Sequence, residues 1–296
     1  MKRTLGLYWW SPSRNAREGL WELRRNHEAW TSMTLRGGRM LENFGDALSQ
    51  RIVAEVTGRP IRWARPESAS VTAIGSVIEH LAAVDTPGVV WGSGLRGRHS
   101  GSRSWAARRP SRFLAVRGAH TRDALGLDPG TPLGDPGLLV RTLSRRSPRR
   151  SGVVVLPHFL TFNSPDARRQ MAAARSRGMR VLVPSASYDS ICEEVSRADL
   201  VLTSSLHGMV VADALDCPVQ LVSFGPTGEP PFKFSDYQTV YGLQADFVAF
   251  VDAAFDEAAI AGVLEAAVDR RTAVSARIDD VVEGLVRSAR PLADLE

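Results

Sequence analysis

Lysine is almost missing from this chain. Of its 37 basic residues only Lys2 and Lys233 are lysine, and the rest are arginine. Asparagine and isoleucine are scarce too, the pattern left by a GC-rich genome that disfavours their codons. Much of the arginine content is therefore compositional drift, although it leaves a net charge of +5. Nor do the aromatics alternate with arginines as a base-stacking platform requires, so nucleic acid is not expected as a partner. The same bias singles out Lys233, because a lysine that any cation could replace should have drifted to arginine.

Other absences narrow the class further. Cys192 and Cys217 are too few for a disulfide framework or a cysteine-rich metal site. No apolar run reaches the roughly 20 residues that span a bilayer. The opening Met1–Trp10 has a basic tip and a short apolar run but no small-residue cleavage site, which fits a first buried strand better than a signal peptide. Histidines and carboxylates lack zinc-site spacing, and no Gly-rich run ends in Lys-Ser/Thr, so neither a metal nor a nucleotide-hydrolysing loop is expected. The expectation is a reduced, cytoplasmic protein. A basic surface also suits an acidic membrane face, which leaves peripheral association with the inner membrane open.

What the chain does contain is alternation. Short apolar runs at Thr4–Trp10, Val71–Ile74, Gly88–Trp91 and Phe113–Val116 read as strands, and Ala47–Thr57 and His120–Leu125 as helices. Three of these strands end in Gly-containing polar loops: Gly75-Ser76, Gly92-Ser93-Gly94 and Arg117-Gly118. Such a series is expected of the ligand-facing rim of a parallel sheet. Ser11–Arg39 has no clean period and reads as an irregular insertion near the cleft. Arg141–Arg150, rich in Arg, Ser and Pro, reads as a linker.

After that linker the alternation restarts, with strands at Val153–Leu156, Arg180–Val183 and Ala198–Leu202, and helices at Asp166–Arg177 and Asp189–Arg197. Beyond Phe224 a loop rich in Gly and Pro carries Lys233–Tyr237, and Glu257–Arg287 reads as two packing helices. The fold class is α/β, with two doubly wound Rossmann-like domains facing each other across a cleft, divided into 1–145 and 146–296.

Ser204-Ser205-Leu206-His207-Gly208 is the centre of this reading. It follows an apolar strand and opens a helix, and free N–H groups at a helix N-terminus favour an anion. Gly208 would let a substrate approach the backbone. His207 suits acid/base work near neutral pH, while two capping serines with a space-filling histidine remain the plain alternative. Arg117, at a strand end, offers a bidentate fork for an anion, with a structural ion pair as its alternative. Lys233 is the second cation for that role, ahead of Arg96 and Arg122. Asn43 and Asp46 precede a helix, as turn and cap residues or as hydrogen-bonding groups for sugar hydroxyls, with Asp46 as a base. His158, also at a strand end, reads as structural or as an acceptor contact, and His27, His80, His99 and His120 carry no assigned role.

Taken in order, Asn43-Phe44-Gly45-Asp46, Ile74-Gly75-Ser76, Val90–Gly94, Val116-Arg117-Gly118, Thr121-Arg122, Leu125-Gly126, Gly134–Leu139, Pro157-His158, Ser205–Gly208 and Asp236-Tyr237 resemble the polysaccharide pyruvyl transferases. The resemblance runs from about residue 40 to 242 and rests on the ordered set. It implies a fold like that of the two-domain B-type glycosyltransferases, with the first half on the acceptor side and the second on the donor side. It also implies transfer of pyruvate from phosphoenolpyruvate, without a cofactor, onto two hydroxyls of a sugar in an exopolysaccharide, cell-surface glycan or lipid-linked precursor. On this reading His207 and Asp46 are catalytic, and Asn43, Arg117, Ser205, Gly208 and Lys233 bind substrate. One departure stands out. Many family members carry an Arg two residues before the His, where this chain has Ser205. Two other readings stay open, a glycosyltransferase using a nucleotide-sugar and a non-enzymatic anion- or nucleic-acid-binding protein on a lapsed enzyme fold.

Overall fold

A computed structural model describes residues 3–82, 88–97, 106, 112–144, 147–226 and 229–295. Two parallel five-stranded sheets organise these residues. The first contains β1 (Leu5–Tyr8), β2 (Ile61–Trp63), β3 (Val71–Thr72), β4 (Val89–Trp91) and β5 (Phe113–Ala115), in the order β2-β1-β3-β4-β5. The second contains β6 (Val153–Leu156), β7 (Arg180–Val181), β8 (Leu200–Thr203), β9 (Val219–Ser223) and β10 (Phe247–Ala249), in the order β10-β9-β8-β6-β7. Counted along the chain, both sheets have the same doubly wound order, in which the winding reverses beside the first strand. That reversal lies between β1 and β3 in one sheet and between β6 and β8 in the other. A crevice opens there at the carboxyl ends, because the loops from the two strands diverge.

Most expected strands are present, while β2 and β10 are additional. Both are edge strands of three residues with no buried position, so no apolar run announces them. The stretch 11–39, expected to be irregular, forms the helices α1 (Ala16–Arg25) and α2 (His27–Thr34). Asn15 caps α1 by accepting from the Glu18 N–H. Helix α3 (Phe44–Thr57) buries Leu48, Ile52 and Val53 and ends at Gly58, whose φ of 59° suits a C-terminal cap. Further on come α4 (Ile78–Ala82), α5 (Ala119–Leu125), α6 (Pro165–Ser176), α7 (Tyr188–Ser196) and α8 (Leu206–Ala214). Lys233 lies in a helix where a loop is expected: α9 spans Phe232–Gln238 and buries Phe234, Asp236 and Tyr237. The two expected terminal helices are α10 (Glu257–Ser275) and α11 (Ile278–Ser288).

Two exchanges interlock the halves. Trp30 of α2 is fully buried against the second sheet's core and stacks on Phe159, 5.3 Å between centroids. In the other direction, α11 returns to the first sheet, where its Leu285 carbonyl accepts the Trp91 indole N–H at 3.1 Å. Both ends of the expected linker are tied down. Arg141 pairs with Asp279 at 2.6 Å, and Arg150 donates to the carbonyls of Leu215 and Asp216. Residues 145 and 146, where the domain boundary is expected, lie outside the described residues.

Candidate active site

The two reversal crevices open on one cavity of about 450 Å³. The first sheet contributes Trp10 after β1 and Ser76 after β3, and the second contributes His158 after β6 and Ser205 and His207 after β8. Helix α1 forms another wall through Glu18, Trp21, Glu22 and Arg25.

At the centre the N-termini of α3 and α8 meet. A Cβ placed on Gly45 would overlap the imidazole of His207, so only glycine lets the ring lie on the α3 backbone. Asp46, one residue on, accepts from Asn43 Nδ2 at 2.6 Å. Asn43 thus serves the carboxylate and makes no side-chain bond to the helix backbone. Gly75, at φ +102°, leaves room for this group, because a Cβ there would sit 2.8 Å from Asp46 Oδ1. Helix α8 begins at Leu206, which puts His207 in its first turn, and Ser205 caps it by accepting the Gly208 N–H at 3.4 Å.

Burial tunes both central groups. It pushes the Asp46 carboxyl up to about 7, against the Asn43 hydrogen bond and the charge of Lys233, which pull it down. His207 moves the other way. Burial, reinforced by Lys233, Arg117 and His158, brings its imidazole down to about 3, so the ring is neutral at physiological pH. Its Nε2 is buried and has no hydrogen-bond partner among the described residues. A buried polar atom left unpaired in a cavity wall is a strong pointer to a ligand contact.

A second cluster lies alongside. Glu229 forms a close ion pair with Lys233, accepts from Arg96 at 2.6 Å and faces His158 Nε2 at 3.9 Å. Burial works to raise the Glu229 carboxyl, but the charges of Lys233, His158 and Arg96 outweigh it and hold the group at about 2. His158 Nδ1 accepts from the Leu160 N–H at 3.4 Å, which leaves the ring's proton on Nε2, towards Glu229. Sequence reasoning missed Glu229, and its only signal was a Glu four residues before the singular lysine. Among the described residues no group of three His, Cys, Asp or Glu side chains is placed to hold a metal ion.

Not every expected site residue reaches the cavity. Arg117 is fully buried behind its wall and donates to Asp236 at 2.9 Å, Ser76 Oγ at 2.6 Å and the Leu95 carbonyl at 2.6 Å. Asp236 also accepts from Thr121 N–H and Oγ, so this ion pair joins the first half to α9. Ser76, which Arg117 holds, does line the cavity. Gly208 faces Thr203 of β8, and a Cβ there would overlap the Thr203 hydroxyl, so this glycine serves helix–strand packing. Asn43, Asp46, Ser205, His207 and Lys233 all line the cavity, joined by Arg96, His158 and His80. Arg122 pairs at the surface with Asp123, and His99 lies outside the described residues.

The sequence model of the family described as polysaccharide pyruvyl transferase matches residues 75–223. The chain belongs to this family. The match includes Ser76, Arg96, Arg117, His158, Ser205 and His207. Asn43, Asp46, Glu229 and Lys233 lie beyond it, although the fold brings them to the same cavity. The chain is also similar to the uncharacterized protein L143 of Acanthamoeba polyphaga mimivirus, 28% identical over 122 residues. That stretch covers 38% of this chain and 41% of the viral protein, so the chain spans less than half of that relative's length. No helix among the described residues is long and apolar enough to cross a membrane.

Proposed function

We propose that this protein transfers the pyruvyl group of phosphoenolpyruvate to two hydroxyls of one sugar in a cell-surface glycan or its lipid-linked precursor. The product is a cyclic ketal, and inorganic phosphate is released. The observation that carries the reading is the meeting of Asp46 and His207 in one cavity, with environments that push their protonation equilibria in opposite directions. In the reaction the enol methylene gains a proton, two hydroxyls each lose one, and the bridging C–O bond to phosphate breaks as two C–O bonds to the sugar form. The second hydroxyl proton leaves with phosphate.

Asp46, near 7, holds a transferable proton and is the acid for the methylene carbon. The neutral imidazole of His207 accepts the proton of an attacking hydroxyl. Asn43 orients the Asp46 carboxyl. Lys233 and Arg96 already hold one carboxylate, that of Glu229. A donor carboxylate or phosphate has the chemistry to take its place, which supplies the grip that an Arg in place of Ser205 would give. The first N–H groups of α8 favour the departing phosphate. Two parallel sheets with their carboxyl ends on a shared cavity also support the B-type arrangement, with residues 1–145 on the acceptor side and 146–296 carrying the donor loop.

The test is to incubate the protein with phosphoenolpyruvate and a panel of glycans and follow phosphate release. Acceptor-dependent release with a ketal in the product is expected. Turnover of a nucleotide-sugar with none of phosphoenolpyruvate would make the protein a glycosyltransferase.

A further inference from the structure

Helix α1 is built on two opposed faces. Inwards it sets Gly19, packed on the Pro12 carbonyl, and Glu22, whose carboxylate accepts from Asn26 at 2.7 Å and the Trp30 indole at 3.1 Å. Outwards it presents Arg17, Leu20, Trp21 and Arg24, a spacing of three, one and three that makes one continuous stripe. Leu20 is 72% exposed and Trp21 58%. Leu20 stands open to solvent, and Trp21 carries the Arg25 guanidinium 5.0 Å from its ring centroid while more than half of its surface stays exposed. Arg17 and Arg24 have no carboxylate partner among the described residues, and the helix's own acids are buried or half-buried. The turn that follows α2 repeats the composition, with Leu35 at 81% and Met40 at 56% exposure flanking Arg36 and Arg39.

We infer that the outer face of α1 docks on an anionic lipid bilayer beside the mouth of the cavity. Arginine with tryptophan and leucine on one helix face is the chemistry of the interface between headgroups and acyl chains, where the rings and aliphatic groups enter and the guanidiniums meet lipid phosphates. Leu20, Leu35 and Met40 offer nothing to a stacked base or a sugar–phosphate backbone, so charge complementarity and aliphatic exposure together favour the bilayer over nucleic acid. Trp21 joins the two surfaces, since it belongs to the outer stripe and also lines the cavity. A bilayer under this stripe places membrane-borne cargo at the cavity entrance. The inference rests on the proposed function only for the nature of that cargo, a lipid-linked sugar.

The experiment is co-sedimentation of the whole protein with vesicles of phosphatidylcholine mixed with phosphatidylglycerol, with pure phosphatidylcholine vesicles alongside. Neither donor nor acceptor is added, so the outcome is independent of the transferase reading, and failure of either leaves the other standing. Wild type is expected to sediment with the anionic vesicles and to bind neutral ones at least about tenfold more weakly. The Leu20→Ser variant, and separately the Arg17→Glu/Arg24→Glu variant, should each weaken binding by about tenfold or more with an unchanged melting temperature. Wild type remaining in the supernatant overturns the inference, as does undiminished sedimentation of both folded variants. So does a lipid-free dimer that protects α1 from hydrogen exchange, or retention on single-stranded RNA with none on vesicles.

Discussion

In water at pH 7 an aspartate is ionised and a histidine exchanges its proton readily. In this cavity burial favours the protonated carboxyl of Asp46 and the neutral imidazole of His207. Each shift is also a statement about stability. The Asp46 carboxyl, near 7 in the fold and near 4 in the unfolded chain, contributes stability that is fully present below about pH 4 and lost as pH rises to 7. Asp46→Asn removes that loss and should raise the unfolding free energy at pH 8 by roughly 2–3 kcal/mol more than at pH 5. Urea denaturation at the two pH values tests this, and an equal difference at both would contradict the protonated state. His207 acts with the opposite sign, since its stability is present above its ordinary 6.5 and lost as pH falls towards 3. Its chemical role is separable. His207→Gln should leave the melting temperature within a few degrees and lower turnover by about 10²–10⁴-fold. Near-normal turnover in the folded variant would remove this imidazole from the reaction.

Helices α3 and α8 touch through a residue with no side chain. Gly45→Ala forces either the His207 ring or the α3 backbone to move, and such overpacking costs about 1–3 kcal/mol. Gly262, inside α10 with open space at its Cβ position, is the matched control, and Gly262→Ala should stabilise by about 0.5–1 kcal/mol. Turnover should fall steeply in the first variant and hold in the second, as steady-state kinetics on purified proteins would show. A fully active Gly45→Ala protein would mean that the ring's place is not fixed by α3. The contact also marks how far sequence reasoning reaches. Asn43–Asp46 is visible as a polar turn leading into a helix and Ser204–Gly208 as a strand-to-helix loop, but their meeting depends on two sheets facing each other. Arg117 shows the same limit. Its strand-end position is legible, yet the Asp236 that occupies its fork is 119 positions away and lies in a helix that the flanking prolines disguise as a loop. Glu229 was hidden in the same stretch. The α1–α2 pair was obscured for another reason: its buried side includes Gly19 and Glu22, which spoils the apolar period.

Seen whole, the cavity takes its walls from both sheets, so a ligand that fills it links the two halves. Binding the native state alone stabilises by about 2.7 kcal/mol at a hundredfold excess over Kd. Phosphoenolpyruvate should therefore raise the melting temperature, and Lys233→Met should abolish most of that rise. Protection by UDP- or GDP-sugars in its place would reassign the donor. The interlock of the halves bears on how the chain matures. The first sheet has all its strands once Ala115 is made, yet the indole of Trp91 and the flank of Gly134 wait for a helix that begins at Ile278. During synthesis the leading half emerges with an apolar surface that waits for α11, which is made long after the first sheet. Synthesis of α11, and not completion of the first half, is then the step that lets this exposed apolar surface close against aggregation.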